Sequence, residues 1–348
     1  MLITDRPIRF ALVGCGRISK NHIEALAKHA GRAEWVGVCD PNAEARAAAA
    51  ATTGAPAFAS LTELLAGCAP DVVVLATPSG LHSQQAVQIA RAGRHVLTEK
   101  PMATKLEDGI AMVRACRDAG VKLFVVKQNR LNATVQQVKS AIEEGRFGRI
   151  YMSTVNVFWT RPQSYYDAAK WRGRWDLDGG AFMNQASHYV DLLDWLVGPV
   201  DNIHAYTATL ARDIEAEDTG VMSLRLRHGG LASINVTMLT YPQNLEGSIT
   251  ILGEKGTVKI GGTAVNKIEH WDFAEKRPED DAVKAASYDT GSVYGFGHPL
   301  YYDNVIKTLR GEASAEVDGY EGLRSLEILI AAYRSARDGQ RIGLPLVF

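Results

Sequence analysis

Along residues 1–125, short runs that are apolar at every position alternate with stretches whose apolar residues recur every three or four places. The continuous runs predict strands at 8–13, 35–39, 72–75, 96–98 and 123–126, and the periodic stretches predict helices at 19–30, 43–53, 81–92 and 106–119. A strand that is apolar throughout is buried on both faces, which means a parallel sheet covered by helices. Strands and helices alternating at this spacing predict a doubly wound α/β fold of the Rossmann kind. After about residue 150 the period becomes two. "YMSTVNVFW", "NIHAYTATL", "GVMSLRLR", "LASINVTML" and "GSITILG" alternate apolar and polar residues and follow one another through turns such as Arg227-His228-Gly229-Gly230. They predict a large, mostly antiparallel sheet with one wetter face. Late helices are predicted near 300–310 and 320–338. The expected organisation is an N-terminal dinucleotide domain, 1–127, and a C-terminal α+β domain, 128–348, whose last helices can pack back on the first.

Composition narrows the class. Of 348 residues, 46% are hydrophobic and 22% charged, and the formal net charge is -1. That balance argues against a nucleic-acid partner, which calls for a basic excess. No apolar run reaches the roughly 20 residues of a membrane span. The opening MLITDRPIRF lacks the pattern of a secretory signal. A cytoplasmic protein with no membrane partner is expected. None of the four cysteines sits in a C-x-x-C pair, so they read as small buried hydrophobes in a reducing compartment.

The first candidate chemistry lies between the first strand and the first helix. Gly14-Cys15-Gly16-Arg17-Ile18-Ser19 is G-x-G-x-x-S. The first glycine makes the tight turn, the second admits a pyrophosphate to the backbone, and the helix N-terminus offers free N–H groups. Such a turn alone is weak evidence, but the second strand ends in Asp40, where a carboxylate accepts ribose hydroxyls and repels a 2′-phosphate. The next residues, Pro41-Asn42-Ala43, offer no arginine. NAD is expected over NADP, with Gly14, Gly16, Arg17, Ile18 and Asp40 as its contacts. Ligands of open α/β sheets sit beyond the carboxyl ends of the strands. Thr77, Pro78 and His82, and Gln128 further on, are therefore also candidates, although His82 reads equally as a local helix-start residue.

The same rule bears on "HVLTEKPMAT". Glu99-Lys100-Pro101 follows a buried strand at its carboxyl end. Proline stops the ladder and restricts the residue before it. A cis Lys100–Pro101 bond is expected. Beside a cationic nicotinamide, a partly desolvated Lys100 would lose affinity for its proton and be able to take one from a hydroxyl. The plainer reading is an exposed lysine at a strand end.

Gly14-Cys15-Gly16, Thr77-Pro78 and Glu99-Lys100-Pro101, in that order, resemble the Gfo/Idh/MocA oxidoreductase family, over essentially the whole chain. The resemblance implies an NAD(P)-dependent dehydrogenase in which Lys100 is catalytic and Glu99 lies at the cofactor. The family's other signature is a glycine pair followed by D-x-G-x-H. Here "DGGAFMNQASHYVDLLDWL" places Asn184, Ala186 and His188 at those positions. The resemblance makes His188 the second catalytic residue. Asn184, four residues earlier, is expected on the same helix face, orienting substrate without a charge. Within the family the likeness is greatest to dehydrogenases of bacterial O-antigen and cell-surface sugar synthesis. Their substrate is UDP-N-acetylglucosaminuronic acid, oxidised at the C3 hydroxyl on the way to a 2,3-diamino sugar. The resemblance further implies a homotetramer and, in some members, regeneration of bound NAD by 2-oxoglutarate.

For a substrate carrying a carboxylate, a diphosphate and a uracil, Arg161 and Lys127 are candidate anion ligands. Tyr165, Tyr166, Lys170, Trp171 and Arg172 form a cationic, aromatic segment suited to a cleft wall or to a subunit contact. Asn129 and Gln185 complete the polar candidates, and His298, Tyr301 and Tyr302 open a late helix within reach of a diphosphate. Asp191 is expected to orient His188 or to cap local structure. No metal is implied, because hydride transfer with Lys100 needs no Lewis acid. A free sugar or polyol dehydrogenase, inositol-like, is the nearest alternative, and a non-catalytic NAD sensor on the same fold is the alternative of another class.

Overall fold

A computed structural model describes residues 2–290, 293 and 295–346. The chain forms two compact units, Met1–Lys127 with His298–Leu323, and Gln128–Gly297 with Arg324–Phe348.

The first unit alternates β1 (Ile8–Val13), α1 (Ser19–Ala27), β2 (Ala33–Cys39), α2 (Ala43–Thr53), β3 (Ala57–Phe58), α3 (Leu61–Gly67), β4 (Val72–Leu75), α4 (His82–Arg91), β5 (His95–Thr98), α5 (Leu106–Asp118) and β6 (Leu123–Val125). All six strands are parallel, in the order β3-β2-β1-β4-β5-β6. This is the expected doubly wound sheet. β4 is Val-Val-Val-Leu with every residue at 0% exposure, each side chain contributing about 1.5–3 kcal/mol of burial. Local signals set the helices. In α2, the Asn42 side chain accepts the Ala45 N–H at 3.0 Å, and Gly54 closes the helix at φ +70. The sheet order reverses direction between β1 and β4, so the carboxyl ends of these two strands and of β5 mark the ligand edge.

The second unit carries α6 (Ala133–Glu143), β7 (Ile150–Phe158), α7 (Gln163–Asp167), α8 (Ser187–Val197), β8 (Val200–Ala208), β9 (Thr219–Leu226), β10 (Leu231–Thr237), β11 (Glu246–Gly253), β12 (Gly256–Gly261) and β13 (Lys267–Phe273). After them α9 (His298–Arg310) returns to the first unit. α10 (Gly319–Asp338) and β14 (Ile342–Gly343) close the chain. The sheet order is β13-β12-β11-β7-β10-β9-β8-β14. It is antiparallel apart from β7 and β10, which run parallel with Met152 opposite Leu231. The period-two burial is clear in β9, where Gly220, Met222, Leu224 and Leu226 point inward. The outward face carries Met152, Leu231, Val221 and Tyr206, all exposed. Among the described residues, no helix is long and apolar enough to cross a membrane.

Candidate active site

In the first unit, the glycine turn is built by contact as much as by conformation. Gly14 has φ +95, and a Cβ on it would lie 2.6 Å from the Ala76 backbone. Only glycine lets the turn after β1 press against the end of β4. A Cβ on Gly16 would meet nothing within 4 Å. The space beside Gly16 is open, at a helix start where Ile18 provides no side-chain cap. The Ser19 and Asn21 N–H groups close tight turns back to Gly16 and Ile18 at 3.2 and 3.0 Å, and the open space beside Gly16 at the start of α1 suits a pyrophosphate. Arg17 is exposed beside it. Asp40 is held ready: one carboxylate oxygen accepts the Cys15 N–H and the other the Asn42 N–H, both at 2.8 Å. These features fit a dinucleotide with a free ribose 2′-hydroxyl. A cation nevertheless lies close. Arg46 donates to the carbonyls of Asp40 and Pro41 at 3.3 and 3.0 Å. Reading only the three residues after Asp40 missed it, because the first turn of α2 brings Arg46 back.

His82 ties two loops of this edge together. Its Nε2 lies 2.9 Å from the Thr77 carbonyl and its Nδ1 3.1 Å from the Pro101 carbonyl. Burial holds it below the usual histidine range despite those carbonyls. Thr77 in turn donates to Gln85 at 2.6 Å, and Pro78 leads directly into the helical turn of Ser79–Leu81.

The Lys100–Pro101 bond is cis, as expected. Lys100 is half-buried, and its N–H donates to the Glu99 carboxylate at 3.1 Å. Glu99 is buried beneath it with His22 Nε2 at 3.1 Å and His298 Nε2 at 3.8 Å. Burial opposes ionisation of Glu99, but the two imidazoles beside it outweigh burial and hold the carboxyl well below its usual range. Burial also lowers His298, against the pull of Glu99. His22 Nδ1 reaches the Tyr302 hydroxyl at 2.9 Å. Tyr301 is 1% exposed and donates to the Val125 carbonyl at 2.7 Å. His298, Tyr301 and Tyr302 were expected near a diphosphate. The structure places them instead inside the first unit, against β6 and the Glu99 cluster, because the face of α9 that carries them is its apolar, buried face. Lys127, just past β6, is also buried.

In the second unit, Gln128, Asn129 and Arg130 form a buried 3-10 turn. Gln128 Nε2 is 3.3 Å from His188 Nε2. Arg130 grips Asp191 through Nε and Nη2 at 2.8 and 2.7 Å, so the partner seen for Asp191 is a guanidinium. Asn184 and His188 do not share one α-helix. Ala181–Gln185 is a π-helical turn, with the Ala186 N–H bonding back to Ala181 at 2.9 Å. His188 belongs to α8, which follows. Asn184 donates to the buried Asp178 carboxylate, and Gln185 and His188 are buried nearby in sequence, at 7% and 6%. Glu217, which sequence reasoning passed over, backs this turn. Burial pushes it up to about 7.

The aromatic, cationic segment forms a stack. Arg161 lies over the rings of Trp159 and Tyr165, 5.2 and 5.5 Å from their centroids. Arg172 covers Tyr165 at 4.2 Å, and Tyr165 meets Tyr166 edge-on at 5.1 Å. Lys170 is exposed, while Trp171 and Arg172 are half-buried.

Comparison with known proteins agrees with this geometry. Residues 8–127 match the family model described as oxidoreductase family, NAD-binding Rossmann fold. Residues 139–344 match that of the oxidoreductase family, C-terminal alpha/beta domain. The WlbA dehydrogenase of Bordetella pertussis, solved in complex with NADH and UDP-GlcNAcA, is 71% identical over 99% of this chain and 100% of its own, with a TM-score of 0.97. The WlbA dehydrogenase of Chromobacterium violaceum, solved with the same two ligands, is 65% identical over 100% of this chain and 99% of its own, TM-score 0.96. More distant is the D-apiose dehydrogenase of Paraburkholderia graminis, 26% identical over 98% of this chain and 91% of its own length.

Proposed function

The chain belongs to the Gfo/Idh/MocA oxidoreductase family, and from that membership we propose that it is an NAD-dependent dehydrogenase of UDP-N-acetylglucosaminuronic acid, acting at the sugar C3 hydroxyl. The observation that carries the reading is the 71% identity, over the full length, to a dehydrogenase solved with NADH and UDP-GlcNAcA.

When bound, NAD⁺ accepts the hydride from the carbon that bears the hydroxyl. The chain's own residues handle the rest. The Gly14–Gly16 turn, the N-terminus of α1 and Asp40 hold the dinucleotide. Lys100 takes the hydroxyl proton, leaving the 3-keto sugar. The Glu99 carboxylate fixes its main chain from below. His188, oriented by Gln128, hydrogen-bonds the substrate, and so does Asn184, with its carboxamide held by Asp178. Arg161, stacked between Trp159 and Tyr165, is the assigned ligand for the uronate carboxylate, its plane held for bidentate contact. Tyr165 and Tyr166 wall the same subsite, and Lys127, Asn129 and Gln185 supply further polar contacts. His298 and Tyr301 act one layer back, through Glu99 and β6.

The test is Lys100→Met. Turnover of the UDP-uronate is expected to fall about 10²–10⁴-fold or more, with NADH binding retained. Normal turnover by this variant would overturn the mechanism.

The reading extends to a cytoplasmic homotetramer, supported by the exposed Met152, Leu231, Val221 and Tyr206 on the outer sheet face. It also extends to regeneration of NAD⁺ by 2-oxoglutarate, which would accept the hydride as its keto group becomes a hydroxyl.

A further inference from the structure

Of the first three N–H groups of the turn that carries Asn184 and leads to His188, two end on one distant residue and the third reaches it through a tyrosine hydroxyl. The Ala181 N–H donates to the Glu217 main-chain carbonyl at 2.9 Å. The Phe182 N–H donates to Glu217 Oε1 at 2.8 Å. The Met183 N–H donates to the Tyr333 hydroxyl at 3.1 Å, and that hydroxyl donates to the same Oε1 at 2.9 Å. The next N–H, of Asn184, reaches the Gly180 carbonyl at 2.9 Å, the first bond internal to the segment. Leading N–H groups of a helical turn have no partner within it, and buried donors need one. Glu217, itself 2% exposed, satisfies two of the three directly and anchors the tyrosine that satisfies the third.

Gly180 completes the device. Its backbone, φ -101 and ψ -157, is one that other residues adopt readily. What excludes a side chain is space. A Cβ there would lie 1.7 Å from Glu217 Oε2 and 2.1 Å from its Cδ. The carboxylate occupies the room that the glycine leaves. The neighbouring Asp218 acts alike on another loop. Its Oδ2 accepts the N–H groups of Leu210, Ala211 and Arg212 at 3.1, 2.9 and 3.0 Å. Arg212 then donates to the Arg161 carbonyl at 2.6 Å.

We propose that Glu217 is a positioning residue: by filling the space at Gly180 and capping the π-turn, it sets the presentation of Asn184 and His188 to substrate. The inference rests on the assignment above of those two residues to sugar binding. Its chemistry is local. Without the carboxylate, the buried Phe182 N–H and the Tyr333 hydroxyl that holds the Met183 N–H lose their acceptor, and the turn relaxes to other hydrogen bonds that re-aim Asn184.

The experiment compares Glu217→Gln, Glu217→Ala, Gly180→Ala and the double variant Gly180→Ala/Glu217→Ala. All are assayed with saturating NAD⁺ at a temperature below each variant's melting transition. In Glu217→Ala, kcat on the UDP-uronate is expected to fall about 10–100-fold, the scale of a misplaced reacting geometry, with NADH affinity unchanged. Glu217→Gln keeps an acceptor oxygen and is expected to recover most of that loss. Gly180→Ala alone should be as damaging as Glu217→Ala, yet add nothing to it in the double variant, because the Cβ then has room. Wild-type kcat in folded Glu217→Ala, or simple addition of the two single effects, would overturn the inference. If Glu217→Ala does not fold, Gly180→Ala decides: wild-type kcat in that variant overturns it. A wild-type protein inactive on the UDP-uronate would instead sink the substrate assignment. The coupling of Gly180 to Glu217 would then be read from the same four proteins by unfolding.

Discussion

His22 Nε2 stands 3.1 Å from Glu99 Oε1, and the other carboxylate oxygen accepts the Lys100 N–H. A residue of the first helix thus helps to fix the main chain of the proposed base, through a buried carboxylate that lies between them. The contact also ties α1 to the end of β5.

His22→Ala removes one donor from a buried anion. Losing a partner of a buried charge costs about 3–5 kcal/mol, so a loss of that order is expected in urea unfolding at neutral pH. The sign with pH follows from Glu99, whose folded value is depressed. Its stabilisation is present above the ordinary carboxylate value of 4.5 and is lost as pH falls through the folded value. The gap between wild type and variant should therefore narrow between neutral pH and a pH well below 4.5. An equal gap at both pH values would show that Glu99 is not the group His22 serves.

Asp40, held by the N–H groups of Cys15 and Asn42, is the proposed determinant of cofactor preference, through its charge. Asp40→Ser should raise the ratio of NADP⁺ to NAD⁺ affinity by at least about tenfold, since the repulsion goes and Arg46 remains close. Cofactor titrations followed by fluorescence check this. An unchanged ratio would place the discrimination elsewhere.

Glu217 gives a pH dependence of opposite sign. Burial raises it from 4.5 to about 7, with Asp178 pushing the same way, while the Phe182 N–H and the Tyr333 hydroxyl pull it down. A folded carboxyl raised above its unfolded value favours folding when protonated. That stabilisation is full below about 4.5 and is lost as pH rises to about 7. The change is about 3 kcal/mol. Tyr333, held well above its usual range, stays protonated throughout. Glu217→Gln should remove this slope between pH 5 and 7 in denaturant unfolding, and a slope that persists would assign it to another group.

The parallel sheet was legible because both of its faces are covered, leaving apolar runs such as Val72–Leu75 without ambiguity. Where a charged residue interrupts the first positions of a strand, as Glu34 does after Ala33 in β2, the apolar run starts two residues late. α6 was passed over although Val135, Val138 and Ala141 are buried at helical spacing, because polar residues dominate its other face. Alternation in the second sheet told which face is buried but not strand direction, so the parallel pairing of β7 with β10 was not foreseen. The spacing of Asn184 and His188 suggested one helix face. A π-turn breaks that geometry, and its cause, Glu217, lies far along the chain, beyond any local pattern. The glycine pair Gly179-Gly180 was the visible trace of it, a cavity with no indication of what fills it.

The most direct measurement follows the reduced-nicotinamide absorbance when UDP-N-acetylglucosaminuronic acid is added to the wild-type protein with NAD⁺. The band is expected, with its absence in Lys100→Met and its decay on addition of 2-oxoglutarate. No band with the wild-type protein would contradict the substrate assignment and direct the search to free sugars and polyols.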